Sequence, residues 1–298
     1  NPEFATIQKI ANELHFPIRF FLENDLVNFA ESPTYFRSLL TTGKRYRREQ
    51  ESKLLVVKII YEYLGEYLKF KPINLPDISI NDDIEDAALR LRECWGLGLK
   101  PIDNLVYIAE SNGLVVSDFE STTGDVDAYS HRIKTEKSNT FLIGYSRNKN
   151  TAARVHFDLA HELGHILLHN WNEDLENIEK EEFKQIEQEA HNFASSFLLP
   201  KEAFIADIGN YAGNLAYYVK KKKRWKVSIA AMIRRSYNLK LISSDDYQRL
   251  MRNMQKQGIR KVEPLDDKLV TAKPSLLREA IHLLLEKGVL TAKEFLNE

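Results

Sequence analysis

Residues 153–171 read "ARVHFDLAHELGHILLHNW", an apolar helix that carries three histidines four residues apart, His161, His165 and His169, with Glu162 directly after the first. Residues four apart lie one turn above each other on the same helix face. His161 and His165 can therefore offer their imidazoles to one ion. Glu162 is turned about 100° around the axis, so it cannot share that ion comfortably, but it can lean over the ion's open side. In the alternative register, His165 with His169, the position of the acid falls to Ile166, which cannot accept a proton. His169 also lies two turns, about 12 Å, from His161. The sequence thus favours His161 and His165 as a pair, with His169 as a supporting or structural histidine.

This is the H-E-x-x-H arrangement, in which two neutral histidines hold Zn²⁺ and the glutamate takes a proton from the bound water. A buried helix with satisfied histidines would look similar. Two features speak against that plainer reading. Gly164 sits inside the helix, where it costs about 1 kcal/mol against alanine, and close approach of another backbone would explain it. A third ligand is also available, as a tetrahedral catalytic zinc site needs three protein ligands and one open position.

The third ligand comes from "EFKQIEQEAHNFASSFLLP", residues 182–200. Phe183, Ile186, Ala190, Phe193, Ala194 and Phe197 form the apolar face of this second helix. Glu187 and His191, four apart, border it. Glu187 is the best third ligand on geometry, with His191 next; Glu182 and Glu189 fall elsewhere and are read as solvated.

The bulk properties limit what else the chain can be. With 298 residues it can hold two or three compact units. Its 43% hydrophobic and 29% charged content are those of an ordinary soluble protein. No apolar run reaches bilayer-spanning length and no secretory signal opens the sequence. The single cysteine, Cys94, rules out an intrachain disulfide and suits a cytoplasmic location. A net charge of −1 gives no global field for nucleic acid.

Around the histidine helix the chain changes texture several times. "FATIQKIANELHFPIRFFLEND" reads as an amphipathic helix with Ile7, Ile10, Ala11 and Leu14 on one face, a turn at Phe16-Pro17 and a short second helix. A long helix with a wide apolar face follows over residues 54–67, preceded by the charge run "KRYRREQ". "KPINLPDISINDD" reads as a linker. "DIEDAALRLRECWGLG" and "IDNLVYIAESNG" are helices stopped by glycine, and "LVVSDF", "DVDAYSHRIK" and "NTFLIGYS" are strands. The end of the chain is mostly helical, with a break near "GIRKVEPLDDKLVTAKPS".

"RVHFDLAHELGHILLH" followed by "EQEAHNFASSFLLP" resembles the ImmA/IrrE family of zinc metallopeptidases. The likeness runs through Arg154, Phe157, Ala160, His161, Glu162, Gly164, His165, Leu168 and His169, then Glu187, Ala190, Phe193, Ala194, Leu199 and Pro200. It implies zinc on His161, His165 and Glu187 with Glu162 as general base, in agreement with the geometric reading. His191 stands where the family often has Asn or Asp, which leaves its part open between orienting a ligand histidine and competing as a ligand. The oxyanion stabiliser is not identified; His131, Tyr129 and His156 are candidates, and His156 shares with His169 and His191 an undetermined place around the metal.

The opening residues are similar to the closing helices of an XRE-type helix-turn-helix domain whose DNA-reading helix lies upstream of residue 1. The resemblance implies an α+β fold, mainly helical: a zincin-like core of a small, mostly antiparallel sheet on two zinc-binding helices, with helical extensions at both ends. The expected divisions are a helix-turn-helix remnant (1–27), a helical connector and linker (28–81), the metallopeptidase domain (82–205) and a helical C-terminal domain (206–298). By resemblance the substrate is a protein, for instance a repressor cut in a stress or DNA-damage response. The alternative is a DNA-binding regulator whose zinc domain senses a ligand or stabilises a dimer without cutting. The apolar face of the long connector helix suits a homodimer. Five consecutive basic residues at 220–224 suggest either a second DNA contact or the basic edge of a packing unit in which Trp225, Ile229, Met232 and Ile233 are core.

Overall fold

The computed structural model describes residues 3–14, 18–22, 34–36, 44–79, 82–120, 128–134, 139–149, 151–169 and 179–297. The turn expected at Phe16-Pro17 and most of the segment between 23 and 43 lie outside them, as do the side chains of most of the "KRYRREQ" run.

The chain divides into two compact units, residues 1–32 and 33–298. The first holds helix α1 (Phe4–Leu14) and a 3-10 turn (Ile18–Phe21). Of the face expected to be apolar, Ala11 is buried and Ile7 half-buried, whereas Ile10 is exposed.

The second unit runs in the order β1 (Thr34–Phe36), α2 (Lys44–Tyr67), α3 (Ile84–Cys94), α4 (Leu105–Ser111), β2 (Val115–Phe119), β3 (Ala128–Lys134), β4 (Asn139–Ser146), α5 (Ala152–Leu168), α6 (Lys180–Leu198), α7 (Lys201–Ile208), α8 (Leu215–Trp225), α9 (Ile229–Asn238), α10 (Ser244–Lys256), α11 (Leu276–Glu286) and α12 (Ala292–Asn297). It is an α+β, zincin-like fold, mainly helical, in which a small mixed sheet meets the helices α5 and α6. The strand order is β1-β3-β4-β2. β3 pairs antiparallel with β1 and β4, while β2 runs parallel to β4.

Strand side chains alternate between faces, and here both faces are covered. Ala128, Phe141, Ile143 and Tyr145 join the main core with Val155, Leu159 and Leu163 of α5. Tyr129, Ile133 and Leu142 face the other way, onto Leu54 and Tyr61 of α2. The far end of α2 packs through Leu64 on Ala280 and Leu284 of α11. The broad apolar face that suited a homodimer is thus largely occupied within the chain.

The segment expected to be a linker is instead seated on the core. Ile73, Leu75 and Ile78 pack against it. The Asn74 N–H donates to Asn112 O at 2.9 Å, and the Trp95 indole N–H donates to Asn74 O at 2.7 Å. Gly113, at φ +83°, lies so close to this segment that a Cβ would sit 2.4 Å from Pro72 O.

Residues beyond 205 share the main core. Trp225, Ile229, Met232 and Ile233 are all buried. Arg235 of α9 is buried and donates to Glu85 of α3, to Ser196 Oγ and to Leu199 O. The basic run is largely neutralised internally: Lys222 is 1% exposed and bound to Glu263 and Asp266, while Lys221 and Arg224 pair with Asp207. Glu263 also accepts from the first two N–H groups of α9, Ile229 and Ala230. Among the described residues no helix is long and apolar enough to cross a membrane.

Candidate metal centre

The N-cap Thr151 accepts from the Arg154 N–H and starts α5, which then runs unbroken through all of H-E-x-x-H. α6 lies along it. Their closest approach is at Gly164, where an added Cβ would meet Ala190 Cα at 3.0 Å, Ala190 O at 3.2 Å and Phe193 Cβ at 3.2 Å. The glycine that costs helix propensity is therefore required by the neighbouring backbone. This contact brings Glu187, one turn before Ala190, over the histidine face of α5.

Three side chains able to ligate a metal converge there. His161 Nε2 and His165 Nε2 are 3.0 Å apart. The Glu187 carboxylate places Oε2 3.5 Å from His161 Nε2 and Oε1 3.3 Å from His165 Nε2. Among the described residues these three form the group able to hold a metal ion, with ligand atoms all within 4.8 Å of one another. Ligands about 2.0–2.2 Å from a tetrahedral zinc stand about 3.3–3.6 Å from each other; both Glu187 distances fall in that range, and the two imidazole nitrogens stand slightly closer. The protonation states fit as well. His161 is 1% exposed, and burial holds its pKa well below the ordinary imidazole value, so it is neutral and can ligate. Burial opposes ionisation of Glu187, but hydrogen bonds with His161 and His165 outweigh it and hold its pKa below the usual carboxylate value.

Glu162 is fully buried and reaches the sheet. There Ser130 Oγ, on β3, donates to Glu162 Oε2 at 2.6 Å. Ser130 is itself 0% exposed. Sequence reading passed over it in favour of its neighbours Tyr129 and His131. Alternation explains the error: if Ser130 faces α5, residues 129 and 131 face α2. The Tyr129 ring lies within 3 Å of where a Gly144 Cβ would be and is tilted against Phe119, with ring centroids 4.8 Å apart. Burial, with the Glu49 charge, raises the Tyr129 pKa. Burial and the Lys58 charge on α2 lower that of His131 to about 4. Both residues thus belong to the sheet face that packs on α2, opposite Ser130.

His156 is also misplaced by the sequence reading. Five residues before His161, it is rotated about 140° from it. It is fully buried, accepts the Leu105 N–H at the start of α4 through Nε2 at 3.4 Å, and has a pKa lowered by burial to about 4. It anchors α4 and does not reach the metal ligands.

The remaining two histidines do border the cluster. His169 Nδ1 lies 3.0 Å from His165 Nδ1, and its Nε2 lies 3.2 Å from Glu189 Oε2. A hydrogen-bonded line therefore runs from Glu189 through His169 to His165, which orients the ring that presents Nε2. Glu189, expected to be solvated, is half-buried and takes part in this line, whereas Glu182 is exposed. The His191 ring tilts against that of His161, with centroids 4.7 Å apart, and against Phe157 at 5.4 Å. It fixes the flank of His161 and stands outside the three-ligand group.

The cluster has the donor set of a zinc hydrolase: two imidazoles, one carboxylate from a second helix, and a separate carboxylate beside them. Comparison with known families gives the same class. Residues 109–237 match the Peptidase_M78 family model, described as the IrrE N-terminal-like domain. That span contains β2, β3 and β4 and every residue of the cluster, and the region is similar to a metallopeptidase-like domain of the ImmA/IrrE kind. No curated protein matches the chain.

Proposed function

We propose that this domain is a zinc-dependent endopeptidase that hydrolyses a peptide bond in a protein substrate. The observation that carries the reading is Glu162, a buried carboxylate held by Ser130 directly beside the convergent His161, His165 and Glu187. A purely structural site has no use for such a base, and structural zinc sites are usually closed and cysteine-rich, which one cysteine cannot supply.

His161, His165 and Glu187 would hold the ion. A bound Zn²⁺ would supply Lewis acidity, polarising the scissile carbonyl and lowering the pKa of water toward 7. Glu162 takes a proton from the attacking water and delivers it to the leaving amine nitrogen. Ser130 fixes one carboxylate oxygen of Glu162, so that the base stays aimed. His169, with Glu189 behind it, holds the His165 ring in one orientation.

By likeness to the ImmA/IrrE kind, the substrate is a repressor and the setting a transcriptional regulator that binds DNA through an XRE-type domain. Metal analysis alongside peptide hydrolysis tests the enzymatic reading. The intact chain should carry about one Zn²⁺ and cleave. Glu187→Ala should lose the ion. Glu162→Gln should keep it and lose at least a hundredfold in rate, the scale of a general base. Cleavage that survives Glu162→Gln would favour a site that senses or stabilises without cutting.

A further inference from the structure

β3 is the strand beside the base: Ser130 on it holds Glu162. One edge of β3 is taken by β4 over its whole length, from Ala128↔Tyr145 to Lys134↔Asn139. The other edge is the place where a further strand can add next to Glu162. An extended peptide that adds to such an edge gains main-chain hydrogen bonds there. Here the edge already carries a strand. β1 pairs antiparallel with it through Thr34↔His131, Tyr35↔Ser130 and Phe36↔Tyr129, so the pair at its centre is centred on the serine that holds the base.

β1 differs from the other strands in two ways. It is three residues long, against five, seven and eight for β2, β3 and β4. It also comes from outside the matched span of residues 109–237, whereas the other three lie inside it. A short strand supplied by a neighbouring segment thus completes the sheet at the position nearest the base.

We propose that β1 is a resident strand occupying the edge on which an extended peptide substrate docks, and that it must leave β3 before the peptide can enter. This rests on the endopeptidase reading and adds an intrachain brake to it. Being tethered, β1 competes at an effective concentration on the order of millimolar. A three-pair ladder keeps it displaceable, and any partner that draws residues 34–36 off β3 would release the edge.

The test uses the full, zinc-loaded chain with Glu162→Gln, so that peptide is bound and not cut. Thr34→Cys with His131→Cys places a disulfide across a register pair, locking β1 when oxidised and freeing it on reduction with a phosphine. Thr34→Pro with Tyr35→Pro removes whichever of the two N–H groups enters the ladder. The probe is fluorescein-labelled casein, an unfolded protein, followed by anisotropy. The locked form should bind at least tenfold more weakly than the reduced form, and the diproline form more tightly than either. Equal binding by all three forms, or binding by none, overturns the proposal. Failure of the endopeptidase reading would show separately, as loss of hydrolysis by the Glu162-intact chain or as zinc retained by Glu187→Ala.

Discussion

The histidine cluster between α5 and α6 and the lysine cluster between α8 and α9 bury their polar groups equally well. His161 and Lys222 are each 1% exposed. They differ in closure. The Lys222 amine meets Glu263 and Asp266, and Glu263 is further saturated by two backbone N–H groups. Every charge there ends on another group of the chain. In the histidine cluster, His161 Nδ1 has no hydrogen-bond partner among the described residues, and three ligand atoms face one small space. Burial alone does not mark a site. A buried polar set whose donors and acceptors close on themselves holds the fold, and one whose lone pairs converge on a common point awaits a ligand.

Removing one member of each cluster should therefore have opposite results. Lys222→Met leaves two carboxylates without their counter-ion and should cost about 3–5 kcal/mol of stability, read as a lower denaturant midpoint, with zinc content per folded molecule unchanged. His169→Ala removes only a support of the open cluster. It should weaken zinc roughly 10–100-fold in a chelator competition while leaving the denaturant midpoint of the metal-free chain within about 1 kcal/mol. If the two variants behave alike, the distinction between closed and open clusters fails.

His156 sharpens the comparison, because it is a buried histidine of the metal helix that serves the fold. Burial lowers its pKa to about 4 when folded, from the ordinary 6.5 of an imidazole. Between those values the unfolded chain binds the extra proton, so its contribution to stability is complete above pH 6.5 and is lost as pH falls toward 4. The slope is about 1.4 kcal/mol per pH unit. His156→Gln keeps an acceptor for the Leu105 N–H but cannot titrate, so stability measured against pH should fall less steeply in that window. The smallest effect is expected of Gly164→Ala. Strain against the Ala190 backbone costs about 1–3 kcal/mol and the gain in helix propensity returns about 1 kcal/mol. The net loss should be on the order of 1 kcal/mol, with weaker zinc binding because α6, which carries Glu187, is pushed back.

Those parts of the site that depend on one helix were legible in the sequence. His161, Glu162 and His165 follow from spacing, and Glu187 from the face of the next helix. Gly164 even announced the close approach it permits. Ser130 was not legible, since its place depends on which face of β3 meets α5, and that is set by the sheet being covered on both sides. Glu189 was missed for a similar reason: its face was judged from α6 alone, while its partner His169 closes α5. In the fold, the zincin-like layers were foreseen but the seated segment before α3 was not. Its prolines and Asn/Asp clusters suggest a loose connection, whereas Ile73, Leu75 and Ile78, spaced without a helix or strand period, anchor it to the core.

That seated segment has a mechanical consequence. With Pro72 pressed under Gly113 and Asn74 bonded to both Asn112 and Trp95, the chain between α2 and α3 cannot swivel freely. Because α2 also lies on the sheet through Leu54 and Tyr61, a displacement of this segment would be felt at the start of β2 and not lost in a slack tether.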